Sequence, residues 1–102
     1  MREEVPEEYL LWAFRYCINR LSYAHADAHL IILKYWPVLR QWKDSIVSDL
    51  ERNRDYLLQT AAYQDLGEMC QNTLIWIGEQ EAMAELARTT QDLGLYGSVE
   101  DQ

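Results

Sequence analysis

The sequence has few of the residues that break regular secondary structure. Four glycines and two prolines are spread over 102 residues. β-Branched residues are also scarce, whereas leucine, alanine, glutamate, glutamine and arginine are common, and these residues favour helices over strands. Because few breaking residues mean few turns and long elements, the composition predicts an all-α protein.

Cysteine is scarce as well. Cys17 and Cys70 are far apart in the sequence and form neither a CxxC pair nor a zinc-ligand spacing. We therefore predict two reduced, buried thiols. No metal and no cofactor are expected.

Long hydrophobic runs are absent. No window reaches the roughly 18 apolar residues that a membrane span needs, and Glu3, Glu4, Glu7 and Glu8 near the start are unlike a secretory signal. The sequence predicts a cytoplasmic protein without a membrane segment. Its length and its 49% hydrophobic content predict one domain, residues 1–93, followed by a flexible tail, residues 94–102.

Basic residues are almost missing from the second half of the chain. Residues 1–54 hold eight acidic and eight basic side chains, whereas residues 55–102 hold nine acidic side chains and one basic one, Arg88. The net charge of −8 therefore comes from the second half. Such a surface repels nucleic acid and attracts basic partners.

Apolar residues recur at helical spacing in four segments, which predicts a compact bundle of about four helices. Asp27 is the predicted N-cap of the second helix, Pro37 ends that helix near Tyr35 or kinks the chain, and Gly67 is a predicted turn. The predicted helices are Pro6–Leu21, Asp27–Tyr35, Val38–Ala62 with a break near Asn53 and Asp55, and Glu68–Thr90.

Two sets of side chains are candidates for binding a partner. The first is an acidic face, because carboxylates on a rigid helix can occupy basic sites meant for phosphates; it comprises Asp65, Glu68, Glu79, Glu81 and Glu85. The second is aromatic, because aromatic rings left at a surface are typical binding anchors; it comprises Trp12, Tyr16 and Trp42. The competing interpretations are that the acidic residues are only a solvated helix face and that the aromatic rings are buried in the core.

Catalytic and metal-binding patterns are weak. His25 and His29 are four residues apart around Asp27, but an N-cap at Asp27 would place His25 outside the helix, so we expect capping and surface residues. A nucleophilic Cys-His pair is not expected, since both cysteines fall on apolar stripes. We predict that the protein is not an enzyme.

Arg40, Lys43, Arg52 and Arg54 are the candidates for a helix-turn-helix contact with DNA. Acidic residues are interleaved with them and offset the attraction to phosphates. Ion pairs within the helices are therefore the favoured interpretation, and binding of nucleic acid is not expected.

Residues 12–24, WAFRYCINRLSYA, resemble a pattern in small proteins of temperate phages and related mobile elements. The similarity continues through the helix that follows Asp27 and through Ile46-Val47-Ser48-Asp49-Leu50-Glu51, and covers roughly residues 9–58. The chain differs from that pattern at Asn19, where glycine is usual, and at Ser22, where threonine is usual.

The resemblance implies a role in the conflict between phage and host. Small acidic helical phage proteins are often inhibitors of host machinery, including anti-CRISPR proteins that occupy nucleic-acid sites. The expected function is therefore binding and inhibition or regulation of a host protein with a basic surface, in the host cytoplasm. A homo-oligomeric structural or regulatory protein and a nucleic-acid-binding regulator are the alternatives.

Overall fold

The computed structural model describes the backbone of residues 6–20 and 23–100 and the side chains of residues 6–20 and 24–90. The described chain is helical and contains no strand, which confirms the predicted all-α class. The elements in chain order are α1 Glu7–Ile18, α2 Tyr23–Leu39, a 3₁₀ turn Arg40–Trp42, α3 Lys43–Leu57, a second 3₁₀ turn Ala61–Tyr63 and α4 Gln64–Glu100.

Helix α1 has the predicted start and apolar face but is shorter than predicted. Pro6 precedes it, and two carboxylates, Glu7 and Glu8, lie in its first turn, where they complement the helix dipole. Its buried residues are Leu10, Phe14 and Ile18. The helix ends at Ile18 with Asn19 as its C-cap, so the prediction that it continues to Leu21 is wrong; Leu21 itself lies outside the described residues.

Helix α2 begins earlier than predicted. It starts at Tyr23, so Asp27 lies inside the helix and the prediction that Asp27 is its N-cap is wrong. The physical reason is burial: His25 and Ala28 are both fully buried, and packing of this turn outweighs the local capping preference. Tyr35 has non-helical backbone angles (φ −117°, ψ 20°) and Pro37 follows inside the helix, so the proline kinks α2 without ending it.

Helices α3 and α4 also differ from the predicted bounds. The predicted break in α3 near Asn53 is absent, since the Asn53 amide donates to the Asp49 carbonyl oxygen at 2.9 Å within a continuous helix. Gly67 lies in α4 and not in a turn. Helix α4 continues to Glu100, through most of the predicted tail; residues 101–102 lie outside the described residues.

The hydrophobic core lies between two helix pairs. Helix α1 packs mainly on α2, α3 packs mainly on α4, and α2 also contacts α4. Along α4 burial ends early, since no residue from Gly78 to Thr90 is buried. The buried apolar residues are Leu10, Phe14, Ile18, Ala28, Ile32, Trp36, Leu39, Ile46, Leu50, Leu57, Cys70 and Ile77.

Cys17 and Cys70 are both free thiols; Cys70 is buried, as predicted, whereas Cys17 is only partly buried. Among the helices that the structure describes, none combines the length and the apolar character needed to cross a lipid bilayer.

Candidate functional site

Three aromatic rings of α1 and one guanidinium just past the end of that helix form a continuous exposed row, which we call the aromatic ladder: Tyr9, Trp12, Tyr16 and Arg20. The ring centroids of Tyr9 and Trp12 are 5.5 Å apart. Trp12 and Tyr16 are stacked, with centroids 5.2 Å apart and an interplanar angle of 18°. The Arg20 guanidinium carbon lies 4.3 Å from the centre of the Tyr16 ring, within the range of a cation–π interaction.

The spacing of these residues explains the row. The three rings are separated by three or four positions, so they lie on one face of α1, while Leu10 and Phe14 point into the core. Arg20 lies two residues past the end of the helix. Tyr9 is 53% exposed, Trp12 56% and Tyr16 48%. Stacking and the bond from the Arg20 guanidinium to the Tyr16 hydroxyl oxygen at 2.6 Å hold the rings in place, which lowers the entropy lost when a partner covers them.

Trp42, the third residue of the predicted aromatic set, is not part of the ladder. It lies in the 3₁₀ turn before α3, is partly buried, and packs against the core. The structure therefore brings Trp12 and Tyr16 together and places Trp42 elsewhere. Tyr9 and Arg20 complete the surface; their helical spacing with Tyr16 was the available sequence signal.

The five predicted acidic residues do not share one face of α4. With about 3.6 residues per turn, Asp65, Glu68 and Glu79 fall on one side of the helix, and Glu81 and Glu85 fall on the opposite side. The first three are exposed. The prediction of one acidic face formed by all five residues is therefore wrong, because the step of two positions from Glu79 to Glu81 rotates the side chain by about 200° around the helix axis.

Glu81 is engaged within the fold. Its carboxylate accepts the Trp36 indole N–H at 2.9 Å and an Arg40 guanidinium N–H at 3.1 Å. Partial burial opposes the charge, but these hydrogen bonds and the charges of Arg40 and Lys43 outweigh it and lower the pKa of Glu81. Glu81 therefore ties the end of α2 to α4.

Three of the four predicted DNA-contacting residues also have acidic partners. Asp49 accepts from Arg15 and Arg52, each at 2.8 Å, and Arg54 pairs with Asp55, as Arg40 does with Glu81. These pairs offset the positive charge that phosphate binding would need.

A buried polar cluster joins α2 to α4. The closest contacts are His29 Nδ1 to Thr73 Oγ1 at 2.7 Å, His29 Nε2 to His25 Nδ1 at 3.3 Å, and His25 Nε2 to Cys70 Sγ at 3.9 Å. All four side chains are buried, so the expectation that the histidines are capping and surface residues is wrong. Inclusion of His25 in α2 places the two imidazoles on one helix face.

Burial controls the protonation of this cluster. It raises the pKa of the Cys70 thiol to about 11 and lowers the pKa of His25. Burial, with the neighbouring His25, lowers the pKa of His29 to about 4. At neutral pH the imidazoles are neutral and the thiol is protonated, and burial closes the Cys70–His25 pair to substrates.

A groove of about 430 Å³ lies between α2 and α4. Its lining includes Leu33, Trp36, Trp76 and Met83. Leu33 and Met83 are exposed, because α4 continues past the end of the core. This groove is a second apolar surface, separate from the aromatic ladder.

Comparisons of the chain with protein-family models, with curated proteins and with solved structures gave no match.

Proposed function

We propose that this chain is a non-enzymatic binding protein that docks on a partner protein through the aromatic ladder of α1. The observation that carries this proposal is the stack of three rings that are about half exposed or more on a helix whose other face is anchored in the core. Tryptophan, tyrosine and arginine are the residues most enriched among those that dominate binding energy. The ladder contains all three types.

The chemistry of the ladder fits a protein partner with a flat or shallow apolar site. Stacked rings supply large contact areas at low conformational cost, and the Tyr9 and Tyr16 hydroxyls and Arg20 supply hydrogen bonds at the edge. Exposed Asp65, Glu68 and Glu79 on α4 add negative charge, which steers the chain towards a basic partner.

A more specific form of the proposal is inhibition of a host protein by a phage-derived chain. The resemblance of residues 9–58 to small phage proteins and the net charge of −8 support it. In this form the protein acts in the host cytoplasm and occupies a nucleic-acid-binding site, as an anti-CRISPR inhibitor of a CRISPR–Cas effector does. Restored plaque formation by a targeted phage in a CRISPR-proficient host that expresses the chain is the expected result; unchanged targeting would contradict this form.

Affinity capture from a bacterial lysate tests the general proposal. The variants are Trp12→Ala and Tyr56→Ala. Tyr56 is a matched control, since it is 61% exposed and lies on α3, outside the ladder. We expect the wild-type chain and the Tyr56 variant to retain the same partner and the Trp12 variant to lose it, since removal of a hot-spot tryptophan costs at least about 2 kcal/mol.

Two results would contradict the role of the ladder. One is equal recovery of a partner by all three chains; the other is loss of the partner from the Tyr56 variant alone. Circular dichroism of each variant checks that the helices are intact. Affinity capture at low and at high salt distinguishes two contributions to binding. Salt weakens electrostatic steering but does not weaken the burial of the aromatic rings.

A homo-oligomer is the second candidate, and the exposed apolar end of the described α4 favours it. Met83 is 61% exposed and Leu86 64%, three positions apart on the same helix. Sedimentation across concentration distinguishes the two: self-association that Leu86→Glu abolishes supports the oligomer, and a monomer at all concentrations excludes it.

A further inference from the structure

We propose that His25, His29 and Cys70 form a site for a divalent late-transition-metal ion of the Zn²⁺ class, held between α2 and α4. The three residues each offer one ligand atom, and these atoms lie within 4.8 Å of one another. Imidazole nitrogen with thiolate sulfur is a donor set that zinc prefers over calcium or magnesium.

The distances are close to those that a tetrahedral ion needs. With Zn–N near 2.0–2.1 Å and Zn–S near 2.3 Å, neighbouring ligand atoms lie about 3.3 to 3.6 Å apart. The His29 Nε2 to His25 Nδ1 distance is 3.3 Å. Cys70 Sγ lies 3.9 Å from the other nitrogen of His25, Nε2; with one ligand atom taken from each residue, the three atoms lie within 4.8 Å of one another. A contraction of about 1 Å in the longest separation between ligand atoms would let all three residues coordinate one ion. Water takes the fourth position.

Thr73 orients one ligand. Its hydroxyl oxygen lies 2.7 Å from His29 Nδ1, and when Nδ1–H donates to it, the lone pair of His29 is on Nε2, which faces His25. Metal-ligating histidines commonly have such a partner on their other ring nitrogen. Thr73 is therefore a positioning residue and His29 a ligand.

The placement of the ligands gives the ion a structural role. His25 and His29 are one turn apart on α2, and Cys70 and Thr73 are three positions apart on α4. An ion at this point would cross-link the two helix pairs, α1–α2 and α3–α4, and binding would release the thiol proton. Three protein ligands and a water are typical of catalytic zinc, but burial of all three donors keeps substrates from the ion, so its role here is structural.

Cobalt titration of the untagged wild-type chain tests the site. We expect uptake of one Co²⁺, with the intense visible bands of four-coordinate cobalt and a near-ultraviolet thiolate-to-cobalt charge-transfer band; Zn²⁺ should displace the cobalt and raise the melting temperature. The wild-type spectrum needs no variant, so it remains decisive if a substitution in the core prevents folding.

Matched variants assign the ligands. Cys70→Ser should lose the charge-transfer band, whereas Cys17→Ser, which changes the other free cysteine, should keep it. Thr73→Val should weaken affinity roughly 10- to 100-fold with the band retained. No cobalt uptake by the wild-type chain would overturn the proposal and leave a hydrogen-bonded His–His–Cys cluster. Uptake without a thiolate band, or a band lost only in the Cys17 variant, would place the ion elsewhere and also overturn it.

Discussion

The same substitution, glycine to alanine, should have different effects at two positions of α4. Gly67 lies where α4 meets the end of α3, and a Cβ there would be 2.6 Å from Leu58 Cδ2, 2.8 Å from its Cγ and 3.2 Å from its backbone nitrogen. Gly78 is exposed, and a Cβ there meets no atom within 4 Å. The structure therefore predicts crowding at position 67 and none at position 78.

The magnitudes follow from two opposing terms. Alanine is favoured over glycine inside a helix by about 0.8–1.0 kcal/mol, and both positions gain this. Unstrained carbon contacts lie near 3.5–4.0 Å, so Gly67→Ala must displace Leu58, and overpacking of this kind costs about 1–3 kcal/mol. We expect Gly78→Ala to stabilise the fold by up to about 1 kcal/mol and Gly67→Ala to be less stable than Gly78→Ala by about 1–3 kcal/mol.

Urea unfolding followed by far-ultraviolet circular dichroism measures the free energy of unfolding of each variant. Introducing Gly67→Ala into a Leu58→Ala background is the control, because removal of the isopropyl group of Leu58 (Cγ and both Cδ atoms) should relieve most of the crowding and leave the contact with the backbone nitrogen. Equal stability of the two single variants would refute the close approach of α3 and α4 at Gly67, and an undiminished penalty in the Leu58→Ala background would refute Leu58 as its cause.

Two further predictions concern ion pairs. Asp49→Asn should destabilise the fold by about 2 kcal/mol, because a largely buried carboxylate loses two charge-assisted bonds, one to Arg15 of α1 and one to Arg52 of its own helix, α3. Urea unfolding should show this loss of stability, and a loss as small as that of exposed Asp55→Asn would argue against it. The lowered pKa of Glu81 means that its stabilisation is present above the unfolded-state pKa near 4.3 and is lost as pH falls through the lower folded-state value. The melting temperature of the wild type should therefore exceed that of Glu81→Gln more at pH 7 than at about pH 3, and a pH-independent difference would contradict this.

The all-α class was predictable because it depends on the amino-acid composition and on the helical spacing of the apolar residues, and both can be read from the sequence directly. The buried stripe of α1, with Leu10, Phe14 and Ile18, is the clearest case. The start of α2 was not predictable, because Asp27 has the chemistry of an N-cap and only burial of His25 in tertiary contacts shows that the helix begins one turn earlier.

The two sites differ in how far sequence could reveal them. The aromatic ladder consists of residues three or four positions apart, so helical spacing alone groups Trp12 with Tyr16; their exposure required the structure. The His–His–Cys cluster joins His29 to Cys70 across 41 positions, and no local pattern links them. The five acidic residues do not share one face of α4, because Glu79 and Glu81 are two positions apart and therefore lie on different sides of the helix.

Site-specific photocrosslinking in living bacteria tests the central claim, that α1 presents a protein-binding surface. Benzoylphenylalanine is introduced in place of Trp12 in one strain and in place of the equally exposed Tyr56 in another. If the aromatic ladder is the docking surface, irradiation should give a discrete higher-mass adduct from position 12 and none from position 56. An adduct from position 56 alone, or no adduct from either position, would contradict the account.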